Sequence, residues 1–283
     1  GIEPDKALAK EATAALRLPC VRAGYWNESA AAGKRYPLDA ITACNVFAHV
    51  PDLHDFLRGV TKALKPNGLF VVECYNLAAM MRSGDLTSIY HEHVYTHHLG
   101  SLVRLLAQHG LVALAVEDIP THGGSLRVWA SPVGEDEGSV AAMLARDEAA
   151  GVGTEIACAA FADAARRNVE RFAIFATEAH HRGARVIGYT APAKATVLLN
   201  AADLDPGVVR YVVDDAPSKQ GKWIPGVGIP IVGPERMTAE PPDVAILFSW
   251  GLPVNEIAAK LPRGCKLLIP LPELRMVYMK EPT

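Results

Sequence analysis

The chain has 283 residues, 50% of them hydrophobic and 21% charged, with a net charge of −3. That balance offers no basic surface for nucleic acid or an anionic membrane, and no apolar run reaches the roughly 18–20 residues that a membrane-spanning helix needs. Five cysteines, Cys20, Cys44, Cys74, Cys158 and Cys265, are scattered without a CxxC pair, which argues against a disulfide scaffold or a cysteine zinc site and fits a reducing cytoplasm.

In chain order, a two-residue strand ending in Glu3 precedes helix formers from Pro4 to Leu18. LDAITACNVF (38–47) reads as a buried strand, and DLHDFLRGVTKALK (52–65) puts Leu53, Phe56, Leu57, Val60 and Leu64 on one helical face. Pro66-Asn67-Gly68 turns the chain into an apolar strand over 69–75. After a histidine-rich loop, SLVRLLAQHGL is a helix capped by Gly110. LVALAVEDIP and SLRVWAS flank the turn THGG as paired strands, and Ala- and Arg-rich sequence from Gly138 to Arg182 has helical spacing. ARVIGY, TVLLNAADL, VVRYVVDD, PDVAILFSW, PVNEIAAKL and CKLLIPL then alternate between strand and helix. The expected fold is therefore α/β: a Rossmann-like domain over residues 1–137, then linker helices and a second Rossmann-like α/β domain over 138–283.

Ligands of open α/β sheets bind at the carboxyl ends of strands. Glu3 at such an end could hold the two hydroxyls of a ribose, and strand 38–47 runs into Asn45 and His49. In the second half, the loop TAPAKA brings backbone amides and Lys194 to a helix start, an anion site. Asp214 and Asp215 follow about 20 residues later, where a dinucleotide fold keeps its ribose-binding acid. An NAD-dependent oxidoreductase is thus one alternative, although GxGxxG is absent. His91, His93, His97 and His98 form HxHxxxHH, which reads either as metal ligands or as a solvated loop.

Taken together, GIEPD, DAITACNVFAHVPDL and LKPNGLFVVE resemble the later motifs of class I S-adenosylmethionine-dependent methyltransferases. SIYHEHVYTHHLGSLVRLLAQHGL, PTHGGSLRVWAS, GYTAPAKATVLLN and VDDAPSKQGKWIPG narrow the resemblance to the sugar-nucleotide C-methyltransferases, which methylate carbon in nucleotide-linked 4-keto deoxysugars. It covers nearly the whole chain. The resemblance implies S-adenosylmethionine as cofactor, with Glu3, Pro4, Tyr25, Trp26 and Asn45 as its expected binding set, and a nucleotide-diphosphate sugar as substrate. It makes His93 the base, Tyr90 and Glu92 its supporting residues, and His49 a further active-site histidine. These residue types suit the chemistry: an imidazole can take the proton beside a ketone, a hydroxyl can donate to the developing oxyanion, and a carboxylate can orient an imidazole. His122, Gly123, Gly124, Lys194, Lys219, Lys222 and Trp223 are the expected substrate-binding residues. A catalytically inactive sugar-nucleotide-binding module is the other alternative.

The chain departs from the family in places. Thr190 and Ala195 stand where the family usually has glycine. The family's first Rossmann strand and Gly-rich loop should precede GIEP and lie between the strand ending at Glu3 and strand 38–47, so the sequence is expected to be a fragment of a longer protein. The family's small cysteine-rich domain has no match here, and zinc is expected only in such a domain; no metal site is expected in these residues.

Overall fold

The computed structural model describes residues 1–16, 20–32, 37–249 and 253–277. Arg17 and Leu18, expected to close the first helix, lie outside the described residues, as do Trp250 and residues 278–283. The first elements are β1 (Ile2–Glu3), α1 (Lys6–Leu16), β2 (Arg22–Ala23), α2 (Glu28–Ala32), β3 (Leu38–Cys44), α3 (Leu53–Ala63), β4 (Leu64–Tyr75), α4 (Leu77–Ser83) and α5 (Leu99–Gln108). The hairpin β5 (Val112–Ile119) and β6 (Ser125–Ser131) leads to α6 (Ser139–Ala149) and α7 (Glu155–His181). There follow β7 (Val186–Tyr189), α8 (Ala193–Ala201), β8 (Val212–Val213), β9 (Ile231–Val232), α9 (Glu235–Ala239), β10 (Val244–Leu247), α10 (Val254–Lys260), β11 (Lys266–Ile269) and β12 (Arg275–Val277).

These elements form two compact units, and the chain passes between them repeatedly. Gly1–Asn76, Val94–Pro120 and Gly124–Ala150 make the first; Leu77–His93, Thr121–Gly123 and the chain from Gly151 onward make the second. This grouping differs from a single cut after residue 137: α6 belongs with the first unit, and the stretch that carries YHEH belongs with the second.

In the first unit, β3 runs parallel to β4, and β4, β6 and β5 continue antiparallel in the order β3-β4-β6-β5. β1 and β2 form a separate parallel pair. The helical face read from sequence is real: Leu53, Phe56, Leu57 and Val60 are buried against Phe47, Phe70, Leu102 and Val128. Asp52 caps α3 by accepting the Asp55 amide at 2.8 Å. Leu64, expected on that helix, instead opens β4, because Lys65 precedes Pro66 and a residue before proline disfavours the helical region. β3, expected to be buried and to run to 47, ends at Cys44, where Asn45 adopts φ +54°. Asp39, Ala40, Thr42 and Cys44 are exposed; among the described residues β3 has a strand neighbour only in β4.

In the second unit, six strands lie in the order β12-β11-β10-β7-β8-β9, all parallel except the edge strand β12. Strand order reverses between β7 and β10, the arrangement that opens a crevice at the strands' carboxyl ends. Phe172 of α7 is wholly buried in a core with Leu198, Leu199, Ile246 and Phe248. The alternation expected from sequence is present, but the pattern reading did not resolve β9, α9 and β12, each five residues or shorter. Among the described residues no helix is long and apolar enough to cross a membrane.

Two stability predictions follow from these cores. Phe172→Ala should lower the unfolding free energy of the second unit by about 3–5 kcal/mol, read from urea denaturation; a loss under about 1 kcal/mol would mean that α7 does not seal that core. In the first unit, His97 is 6% exposed, its Nε2 has no hydrogen-bond partner, and burial, with the His98 charge second, pushes its pKa down to about 4. The unfolded chain binds that proton near pH 6.5 and the folded chain does not. Stability should therefore fall as pH drops from about 6.5 towards 4, by at most about 1.4 kcal/mol per pH unit, and this loss should cease below that window. His97→Phe should remove that slope, as measured by urea midpoints near pH 7 and about 4.5; an unchanged slope would assign the acid sensitivity to other groups.

Candidate active site

Residues 77–93 are built onto the second unit by three contacts. α4 packs on α7. Asn168 of α7 donates from Nδ2 to the carbonyls of Ser83 and Gly84 at 3.2 and 3.3 Å. Gly84 has φ +62°, which glycine adopts without strain, and a Cβ there would lie 2.7 Å from Asn168 Nδ2, so a larger residue would push against the Asn168 contact. Asp85, 3% exposed, accepts from the Thr87 amide at 2.8 Å and the Thr87 hydroxyl at 2.5 Å, which caps the short 3-10 turn Leu86–Ser88. Lys194 of α8 stands 3.6 Å from the other Asp85 oxygen and donates to the His122 carbonyl at 3.4 Å. Burial lowers the Lys194 pKa, and Asp85 opposes that shift.

The turn delivers the Ser88 carbonyl to His93. His93 Nδ1 lies 2.7 Å from that oxygen, and the Tyr90 hydroxyl lies 3.1 Å from His93 Nε2. A carbonyl can only accept, so Nδ1 carries the proton, Nε2 presents its lone pair, and the Tyr90 hydroxyl donates to it. The two rings are 4.3 Å apart. Burial, then the charge of Glu92, raises the Tyr90 pKa, which keeps the phenol protonated at neutral pH. Glu92 itself is exposed, with its carboxylate 3.9 Å from His91 Nε2.

The other expected substrate residues of this unit are differently engaged. His122 and Gly123 are exposed and, with Gly124, form three successive positive-φ residues at +57°, +94° and +130°. Lys219 pairs with Asp214 at 3.0 Å, while Lys222 and Trp223 are exposed, Trp223 at 64%. The loop behind them is fixed by Asn200, which donates to the Pro225 carbonyl at 2.8 Å. Asp214, expected as a ribose acid, accepts from the amides of Ala191 and Ala216 at 2.7 and 2.9 Å. Burial pushes its carboxyl up, but those amides and Lys219 together hold it below the usual carboxylate range. Asp215 pairs with Lys260 at 2.9 Å. Thr190 has φ +67°, the backbone region glycine enters freely, and its hydroxyl donates to Ser249 Oγ at 2.9 Å; Ala195 is buried.

The expected cofactor residues lie in the first unit. Glu3 ends β1 and accepts the Asp5 amide at 2.9 Å. Pro4 is exposed, and Tyr25 is 73% exposed. Trp26 packs edge-on against Phe56 and donates its indole N–H to the Phe56 carbonyl at 3.2 Å. Asn45 donates its amide N–H to the Glu73 carbonyl at 2.8 Å and its side-chain N–H to Glu73 Oε1 at 3.4 Å. Buried Glu73 is braced by Arg127 at 3.0 Å, which also reaches Glu117 at 2.8 Å across the next strand pair. His49 is exposed on the 3-10 turn Phe47–His49.

Sequence reasoning missed Ser88, Asp85, Asn168 and Glu73. Ser88 acts through a backbone carbonyl, which no residue type announces. Asp85 was readable, since Asp two residues before Thr is a turn-capping pattern. As for HxHxxxHH, His91 and His93 fall in the second unit and His97 and His98 in the first. Among the described residues no group of three or more histidines, cysteines or carboxylates is arranged to hold a metal.

Residues 120–272 match the family described as the C-methyltransferase C-terminal domain, and residues 1–116 match a methyltransferase domain. The chain is 35% identical over 237 residues to the C-methyltransferase NovU of Streptomyces niveus, covering 82% of this chain and 56% of that protein. It therefore spans little more than half the length of that relative. Among solved structures, it is 19% identical to the geranyl diphosphate C-methyltransferase of Streptomyces coelicolor, at a TM-score of 0.36, over 47% of this chain and 64% of that one. A methyltransferase of Aquifex aeolicus is 15% identical at a TM-score of 0.35, over 47% and 67% of the two chains. With one domain description matched over more than half its length and a relative of this identity aligned along most of it, the chain belongs to the C-methyltransferase family.

Proposed function

We propose that this protein acts in the cytoplasm as an S-adenosylmethionine-dependent C-methyltransferase on a nucleotide-linked 4-keto deoxysugar, methylating the carbon beside the ketone through an enolate. The observation that carries the reading is the Ser88–His93–Tyr90 array. His93 holds its own proton on Nδ1 against the Ser88 carbonyl and offers Nε2 as an acceptor. Nε2 takes the proton from the carbon beside the ketone, and the electron pair left behind moves onto the carbonyl oxygen. The Tyr90 hydroxyl, released from Nε2, donates to that oxygen. Glu92 adds negative charge beside Tyr90, which favours the imidazolium that results. Lys219, Lys222, Trp223 and the His122–Gly124 turn are the candidate contacts for the nucleotide and its diphosphate.

S-Adenosylmethionine, when bound, supplies an electrophilic methyl group. The donor set of the first unit suits it: the Glu3 carboxylate accepts one bond on Oε1 and has further acceptor capacity for a ribose diol, and Asn45 is fixed at a strand's carboxyl end by Glu73. Pro4 and Tyr25 are open to solvent, whereas Trp26 has only its ring to offer. The name of the Streptomyces niveus relative, a C-methyltransferase, agrees with this reading. An NAD-dependent oxidoreductase fits less well, because the acid it needs, Asp214, is already bonded to the Ala191 amide of the loop that would face the dinucleotide phosphates.

Intact enzyme held with S-adenosylhomocysteine in deuterated water should wash deuterium into the position beside the ketone without methyl transfer. His93→Asn should abolish both exchange and methylation, and Tyr90→Phe should slow both by about 10²–10³-fold. Full exchange in His93→Asn would move the base elsewhere, with His49 next in line. Glu3→Ala should weaken S-adenosylhomocysteine binding by about 1.5–3 kcal/mol in calorimetry; unchanged affinity would remove Glu3 from the cofactor site.

A further inference from the structure

The geometry points to the buried Asp85–Lys194 ion pair as a positioning device for His93: it sets the Ser88 carbonyl and, through it, the tautomer of the imidazole. This rests on the reading of His93 as the base. A continuous path of contacts carries it. Lys194 faces one oxygen of Asp85 at 3.6 Å, while the other oxygen caps the 3-10 turn through Thr87 at 2.8 and 2.5 Å. The turn ends at Ser88, whose carbonyl receives the His93 Nδ1 proton at 2.7 Å. Asp85 is 3% exposed and Lys194 sits largely inside the protein, so each charge needs the other. The turn also packs on α8, the helix that presents Lys194. Lys194 thereby has a role different from holding a substrate diphosphate directly. If the turn shifts, Nδ1 loses its acceptor, the proton can move to Nε2, and Nε2 then has no lone pair with which to take a proton from carbon.

The two roles of Lys194 separate experimentally. In intact enzyme with 15N-labelled histidine, the His93 resonances, identified by their loss in His93→Asn, should report the Nδ1–H tautomer. Lys194→Met should turn that signature into a mixture of tautomers or into Nε2–H. With a thymidine diphosphate 4-keto deoxysugar, kcat should fall by about tenfold or more, the kind of loss a wrong tautomer brings, while KM stays within about threefold. Because Lys194→Met leaves a carboxylate buried alone and can fail to fold, the double variant Asp85→Asn/Lys194→Met serves as the second test. It removes both charges and leaves Thr87 a neutral acceptor, so the turn loses the charge that holds it against α8, and the same spectroscopic change is expected. A pure Nδ1–H signature in the folded double variant would overturn the proposal, as would a KM raised about tenfold or more with kcat unchanged in Lys194→Met. The spectrum needs no turnover, so a His93→Asn enzyme that still methylates would end the assignment of the base while the tautomer result still decided the positioning role.

Discussion

A buried charge pair, Asp85 with Lys194, ties the segment that carries Tyr90 and His93 to α8 of the second unit. Residues 77–93 come from the first half of the sequence, between β4 and α5, yet they fold as part of the second unit. A carboxylate withdrawn from water is costly unless a cation and hydrogen-bond donors meet it. Here one oxygen takes the amide and hydroxyl of Thr87 and the other faces Lys194. Asn168 fixes the entry to the same turn through two backbone carbonyls. Tyr90 and His93 are then carried on a segment held at both α7 and α8, so the imidazole is oriented by backbone and not by a loop left to solvent.

The same economy of charge operates elsewhere in the second unit. Asp214 closes β8 and folds back on the amides of Ala191 and Ala216, with Lys219 beside it. It thereby satisfies the loop after β7 from inside the protein. Thr190 holds the left-handed backbone that glycine would otherwise supply, and its hydroxyl meets Ser249 at the end of β10. The carboxyl ends of β7 and β10, where strand order reverses, are therefore lined by hydroxyls and an internally compensated carboxylate. Among the described residues, the loop after β7 has Thr190 and Ala195 in place of the glycines that let a dinucleotide pyrophosphate approach the backbone.

In the first unit the comparable element is the row Glu117–Arg127–Glu73 across β5, β6 and β4, whose residues stand opposite one another in the strand register. Arg127 bridges the two carboxylates, and Glu73 then holds Asn45 by both backbone and side chain. The left-handed turn at Asn45 ends β3 and leads into the 3-10 turn that carries His49. Cross-strand ion pairing in the sheet thus sets the geometry at the carboxyl end of β3, where Asn45 sits.

Much of this was legible in the residues. Apolar spacing placed α3, α5 and the paired strands β5 and β6; the alternation after residue 185 gave the parallel sheet; and YHEH with THGG marked the candidate site, because side-chain type and local period are written in the chain itself. Other features were not legible. β9, α9 and β12 are too short to carry a period, and the exposure of β3 depends on which strands neighbour it. The partner of His93 is the carbonyl of Ser88, and every residue has a carbonyl. Lys194 read as an anion site because its sequence context, a loop before a helix, is the same whether the anion is a ligand or the chain's own Asp85, 109 positions earlier. The sequence by itself determined the α/β alternation, the helical faces and the chemistry-bearing residue types. Only the tertiary structure decided which charges neutralise one another and which unit carries Tyr90 and His93, because pairing of buried groups follows from long-range packing that no local pattern encodes.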